Sequence, residues 1–73
     1  MAIERPLDAL NQAKEKRVYV EVKNGKAYRG ILKAFDIHIN IVLEDAEELK
    51  DGEVVRKMGT LFIRGDTIVL ITQ

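Results

Sequence analysis

The sequence predicts a mainly β protein: a short N-terminal helix lying on a strongly bent, five-stranded antiparallel small barrel. Three observations carry this. A helical period of apolar residues is confined to the N-terminal segment. From Arg17 onward the period changes to two, in short apolar segments separated by tight-turn signals. Gly30 and Gly59 fall inside two of those segments, where a strand can bend sharply.

Each element has its own reason. Pro6 suits the first turn of a helix, where its missing N–H is not needed. Leu7, Leu10 and Ala13 follow at helical spacing, with Asp8 early and Lys14 and Lys16 late, a charge order that complements the helix dipole. This predicts a helix over 6–14, too short to stand alone and therefore laid on something else.

Val18, Val20 and Val22 then alternate with Tyr19 and Glu21 as a half-buried strand. Asn24-Gly25 marks a hairpin. A two-residue turn would set the valines beside Ala27, Arg29, Ile31 and Lys33. A three-residue loop with Gly25 left-handed sets them beside Tyr28, Gly30, Leu32 and Ala34, the better core, and is preferred. A third strand is expected over 38–46, with Ile39, Ile41 and Leu43 on one face. The acidic stretch Glu44 to Glu53 reads as a solvated turn, with Asp51-Gly52 inside it. A fourth strand follows over 53–63, then "RGD" as a tight connection, then "TIVLI" as a fifth strand.

Size and composition limit what such a chain can be. Its 73 residues suit one domain, residues 1–73, with a thin core. There is no cysteine, so neither a disulfide nor a thiolate metal site supplements that core. The last strand is apolar on both faces and would leave an aggregation-prone edge. Pairing that edge with another copy answers both problems. No apolar run approaches the roughly 20 residues that span a bilayer, and "MAIERPLDAL" lacks the apolar region of a secretory signal. A cytoplasmic protein without membrane contact is expected. Twelve Lys and Arg balance twelve Asp and Glu, so any nucleic-acid binding must come from a local site rather than overall charge.

Two short stretches are candidates. In "FDIHINIVL", Asp36, His38 and Asn40 alternate with isoleucines, and extended backbone would set all three on one face. The plainest reading is a polar turn, because Asp and Asn cap local backbone groups. One histidine with scattered carboxylates is too few ligands for a metal, and no metal or other cofactor is expected. An Asp–His dyad needs a nucleophile or an activated water, and the chain has no serine or cysteine, so it is not expected to be an enzyme. Recognition uses these groups better: Asn40 offers donors and an acceptor to the edge of a base, and His38 a ring for stacking. In the second stretch, "IRGD", Arg64 can stack on a base or meet phosphate, Gly65 lets backbone approach closely, and Asp66 can orient Arg64 or Asn40. A bare turn is the plain alternative there, and the three letters alone say nothing of integrins. Lys14, Lys16 and Arg17 could favour an RNA backbone, though a helix C-terminus explains them equally.

Together the two stretches resemble the Sm/Lsm family, and its archaeal members above all. Gly30, Leu32, Phe35, Asp36, His38 and Asn40 stand at the places of the first Sm motif. Ile63, Arg64, Gly65 and Asp66 match the second; the bacterial branch differs there by a Lys-His pair. The resemblance implies a ring, usually of seven subunits, in which the fourth strand of one copy pairs with the fifth of the next. It implies pore-side pockets for uridine-rich single-stranded RNA and a role in RNA processing or ribonucleoprotein assembly. Carried over, His38 and Arg64 would sandwich the base and Asn40 would read its edge. Asp36 and Asp66 would hold Asn40 and Arg64, and Gly65 would offer backbone contact. The alternative is a ring-shaped scaffold for proteins with incidental RNA contact.

Overall fold

The computed structural model describes residues 3–73; Met1 and Ala2, the start of the stretch read for a signal and of the 1–73 domain, lie outside the described residues. The helix α1 spans Pro6–Ala13, and strands β1 (Arg17–Val22), β2 (Ala27–Phe35), β3 (Ile41–Lys50), β4 (Glu53–Ile63) and β5 (Ile68–Thr72) follow. A 3₁₀ turn, Gly65–Thr67, joins the last two. The strands form one antiparallel sheet in the order β4-β3-β2-β1-β5.

Pro6 sits in the first turn of α1, as expected. The Asp8 carboxylate turns back to accept the backbone N–H of Arg5 at 3.0 Å, satisfying a donor that the helix leaves open. The helix stops one residue early, at Ala13, so the last turn carries no basic residue. Lys14 is the C-cap instead. Glu15 takes a left-handed conformation, φ 69°, and its N–H reaches the Leu32 carbonyl at 2.7 Å. That bond, with Leu32 N–H to Lys16 O at 3.0 Å, ties the helix end to β2. Ala13 is buried and Leu10 packs on the core, which gives the short helix its support.

The first hairpin has the register that core composition favoured. Val18 faces Gly30 and Val20 faces Tyr28. Val22 N–H bonds Lys26 O across a three-residue loop, with Gly25 at φ 84°. Val18, Val20, Leu32, Ile41 and Leu43 are the largest fully buried side chains. Burying each contributes about 1.5–3 kcal/mol.

The third strand corrects two expectations. It starts at Ile41 rather than 38, because residues 36–40 form a turn. It then runs on to Lys50, through the stretch read as a solvated loop. Ala46 and Leu49 are buried there, Glu47 pairs with Arg29 at 2.8 Å, and Glu48 pairs with Arg56 at 3.2 Å. Buried apolar groups and partnered carboxylates turn an acidic segment into strand. Only Asp51 and Gly52 remain as the turn.

The bend forms where β2, β3 and β4 cross. The β2–β3 register shifts between Arg29 and Ile31, and the β3–β4 register between Leu43 and Ala46. At this point a Cβ on Gly30 would stand 2.9 Å from the Glu44 carbonyl oxygen, so β3 can cross only over a glycine. Ala46 faces Gly59 on the next strand. The sheet curls around its core but leaves two edges, β4 and β5. Large apolar groups are exposed on both: Val54, Val55 and Phe62 on β4, Val69 and Leu70 on β5.

Candidate nucleic-acid interface

The turn after β2 is built by Asp36. Its carboxylate oxygen Oδ1 accepts the backbone N–H of His38 at 2.8 Å and of Asn40 at 3.2 Å. Backbone bonds close the same turn: Ile39 N–H to Asp36 O at 3.0 Å and Asp36 N–H to Asn40 O at 3.2 Å. The alternation of polar residues is therefore not the face of an extended strand. It is the signature of an aspartate capping its own loop. The side-chain amide of Asn40 donates to Asp36 Oδ2 at 3.1 Å. These bonds hold the Asp36 carboxyl below the usual aspartate range: the Asn40 side-chain bond acts most strongly, desolvation opposes it, and the two backbone bonds and the charge of His38 add to the lowering.

The second turn is built around Arg64. Its carbonyl accepts the Thr67 hydroxyl at 2.7 Å and the Thr67 N–H at 3.1 Å. Its guanidinium meets Asp66 at 3.2 Å. Both side chains are mostly exposed, 82% and 63%, so this pair adds little stability and mainly restricts where the guanidinium points.

Asn40 joins the two turns. Its side-chain oxygen accepts the Gly65 N–H at 2.8 Å, across 25 positions of sequence. A carboxylate only accepts and an N–H only donates, so these partners fix which way the amide faces. One N–H and one acceptor lone pair of that amide remain available. A Cβ on Gly65 would collide with the His38 carbonyl oxygen and press on Ile39. Only glycine allows the two turns to pack this closely.

His38, Asn40, Arg64, Gly65 and Asp66 together line a shallow cleft of about 400 Å³. Asp36 stands behind it, in an adjoining apolar groove with Phe35, Ile41, Phe62 and Ile63. Asn40 and Arg64 border both. A larger cleft, about 630 Å³, lies among Arg17, Arg29, Asp45, Glu47 and Lys57 and shares no residue with the first. Arg29 is already engaged there by Glu47 at 2.8 Å, and no fixed amide converges on it. Lys14 and Lys16 are exposed and line neither. Among the described residues no group of three or more His, Asp or Glu side chains is placed to hold a metal ion. No helix among them is long and apolar enough to cross a membrane.

Sequence reasoning missed two residues. Thr67 closes the second turn, and a hydroxyl residue directly after "RGD" was the available signal. Ile39 adopts φ 61°, which no propensity argument would assign to a β-branched residue.

A family model described as LSM domain matches residues 8–73, a span that contains both turns. The chain belongs to the LSM family. Relatives of this LSM chain include the "Putative snRNP Sm-like protein" of Archaeoglobus fulgidus, 53% identical over 93% of this chain and 88% of its own. That of Methanococcoides burtonii is 52% identical over 93% and 94%. Among solved structures, the Pyrococcus abyssi Sm protein in complex with a uridine heptamer is 48% identical, with a TM-score of 0.90 over 94% of this chain and 97% of that one. A heptameric archaeal Sm protein is 42% identical, with a TM-score of 0.84 over 89% and 94%. The helix and bent five-stranded sheet of this LSM chain are thus those the family resemblance implied.

Proposed function

We propose that this LSM chain, acting as one domain over residues 1–73, assembles with copies of itself into a ring, heptameric by its relatives, that binds uridine-rich single-stranded RNA. It serves in the cytoplasm in RNA processing or ribonucleoprotein assembly and catalyses no reaction. The observation that carries the reading is the Asn40 amide, fixed in direction by Asp36 and Gly65 while one donor and one acceptor stay open in the cleft. Uracil presents an N–H flanked by carbonyl oxygens on its pairing edge. The remaining acceptor of the amide can take that N–H while its remaining donor meets a flanking carbonyl oxygen. His38 and Arg64 border the same cleft and would take the two faces of the ring. Gly65 would contribute backbone contact, and Asp66 would aim Arg64. The match to the Pyrococcus abyssi protein, whose structure contains a uridine heptamer, supports the ligand. The heptameric relative supports the assembly, as do the apolar residues on the open edges of β4 and β5.

Magnitudes favour a ring. Stacking of one base contributes about 1–3 kcal/mol, whereas millimolar binding already needs about 4 kcal/mol. Several linked pockets on one strand can raise avidity about 100- to 10,000-fold, which a net-neutral subunit needs more than a basic one. Titration with oligouridine and oligoadenosine of equal length, followed by anisotropy and native mass spectrometry, tests this. Uridine is expected to bind more tightly, to a multi-subunit particle. Equal weak binding to both oligomers would refute the pocket, and leave the ring as a protein scaffold.

A further inference from the structure

We propose that Ile39 is a strained positioning residue that holds His38 and Asn40 in place for the ligand; the proposal rests on reading the cleft as a uridine site. The chain supplies its own comparison. Its first hairpin loop and its 36–40 turn have the same hydrogen-bond pattern. In one, Val22 N–H bonds Lys26 O at 2.9 Å and Gly25 N–H bonds Val22 O at 3.0 Å. In the other, Asp36 N–H bonds Asn40 O at 3.2 Å and Ile39 N–H bonds Asp36 O at 3.0 Å. Both loops have three residues, and the third must be left-handed: Gly25 at φ 84°, Ile39 at φ 61°. Glycine adopts that conformation freely, and a β-branched residue does so only against steric repulsion.

The structure explains why an unfavourable residue is useful at 39 and not at 25. Nothing lies within 4 Å of where a Gly25 side chain would begin, so a side chain there would have no anchor. The Ile39 side chain is half-buried and packs on the core cluster. That packing offsets the strain and fixes the turn from below. From the other turn, Gly65 approaches so closely that a Cβ on it would strike the His38 carbonyl oxygen and crowd the Ile39 backbone. Residue 39 is thus confined both by its side chain on the core and by the close approach of Gly65, between the imidazole that would stack and the amide that would read the base. Strain retained at a binding site by its surroundings is a recognised form of preorganisation. The cost of ordering the loop is met during folding rather than when RNA binds.

Four variants test it in the full chain. Ile39→Gly relieves the strain and removes the anchor. Ile39→Val keeps both. Ile39→Asn tolerates the backbone but loses the apolar anchor, and serves if Ile39→Gly does not fold. Gly25→Ala introduces strain in the matching loop, whose Lys23 N–H bonds the Thr67 carbonyl at 2.8 Å but whose residues do not line the cleft. Each is measured for heptauridine affinity, unfolding midpoint and hydrogen exchange at the amides of residues 38–40. Ile39→Gly is expected to weaken heptauridine binding about tenfold and to speed exchange at 38–40, the scale of releasing one fixed residue. Ile39→Val should bind within about twofold of the parent, and Gly25→Ala should lower the midpoint with affinity unchanged. Parental affinity and exchange in Ile39→Gly would overturn the proposal, as would an equal affinity loss in Gly25→Ala, since binding would then only follow stability. If the parent does not prefer uridine, the uridine reading fails; the exchange data still decide whether Ile39 orders the turn.

Discussion

At the scale of single residues, Asn40 has two roles that its position in the sequence does not separate. Its amide joins two turns 25 positions apart and still presents hydrogen-bonding groups to solvent. Asn40→Ala should therefore abolish the preference for uridine over adenosine and also loosen Gly65; parallel anisotropy titrations with both oligomers check the first effect. Arg64→Ala should weaken binding to every sequence and flatten the salt dependence, if the guanidinium also meets phosphate. Gly65→Ala is the harsher change: its methyl group would strike the His38 carbonyl and force the turns apart. Overpacking of this kind costs about 1–3 kcal/mol, and a denaturant titration would read it alongside a loss of oligouridine binding. The pH response follows from Asp36. Its folded carboxyl is held below the usual range, chiefly by Asn40. The bonds it makes are therefore fully present above the ordinary aspartate value and are lost as pH falls through the lower folded value. The contribution of Asp36 to oligouridine binding should therefore be lost only below that ordinary value, whereas Asp36→Asn should already bind weakly at neutral pH.

At the scale of elements, the bent strands carry the two turns to each other. Ile41 of β3 faces Ile63 of β4, so the turn that precedes one strand lies beside the turn that follows the other. Sequence reasoning reached that convergence through the family resemblance; the residue patterns by themselves had placed 38–40 inside the third strand. The length of β3 was not legible. "EDAEELK" looks like a solvated turn because the sequence does not show that Arg29 and Arg56 stand across from Glu47 and Glu48. Cross-strand partners, rather than intrinsic propensity, made it strand. The bend point should be intolerant for the same reason that it exists. Gly30→Val would drive a side chain into the β3 backbone at Glu44, and a fall of several degrees or more in the unfolding midpoint is expected. Leu43→Ala, in the fully buried core, should cost about 2–5 kcal/mol in an equilibrium denaturation.

At the scale of the whole molecule, the open edges matter most. Phe62 is 76% exposed and Val69 57%, on the two strands without an outer neighbour. Phe62→Lys or Val69→Lys should divide the proposed ring into smaller species by native mass spectrometry. Oligouridine affinity should then fall by about 100-fold or more, because avidity is lost while each cleft stays intact. A variant that dissociates yet binds as tightly as the parent would show that single pockets suffice.

The sequence by itself determined the helix, the period of the first strand, the glycines at the bend and the register of the first hairpin, and it offered the residues that line the cleft as candidates. These depend on local sterics and on which side chains prefer water, and both are written in neighbouring residues. Only the tertiary structure decided that Asn40 bonds Gly65, that β3 continues through its carboxylates, and that Ile39 is held left-handed. Each of those depends on an atom brought from a distant part of the chain, whose contact energy outweighs the local preference.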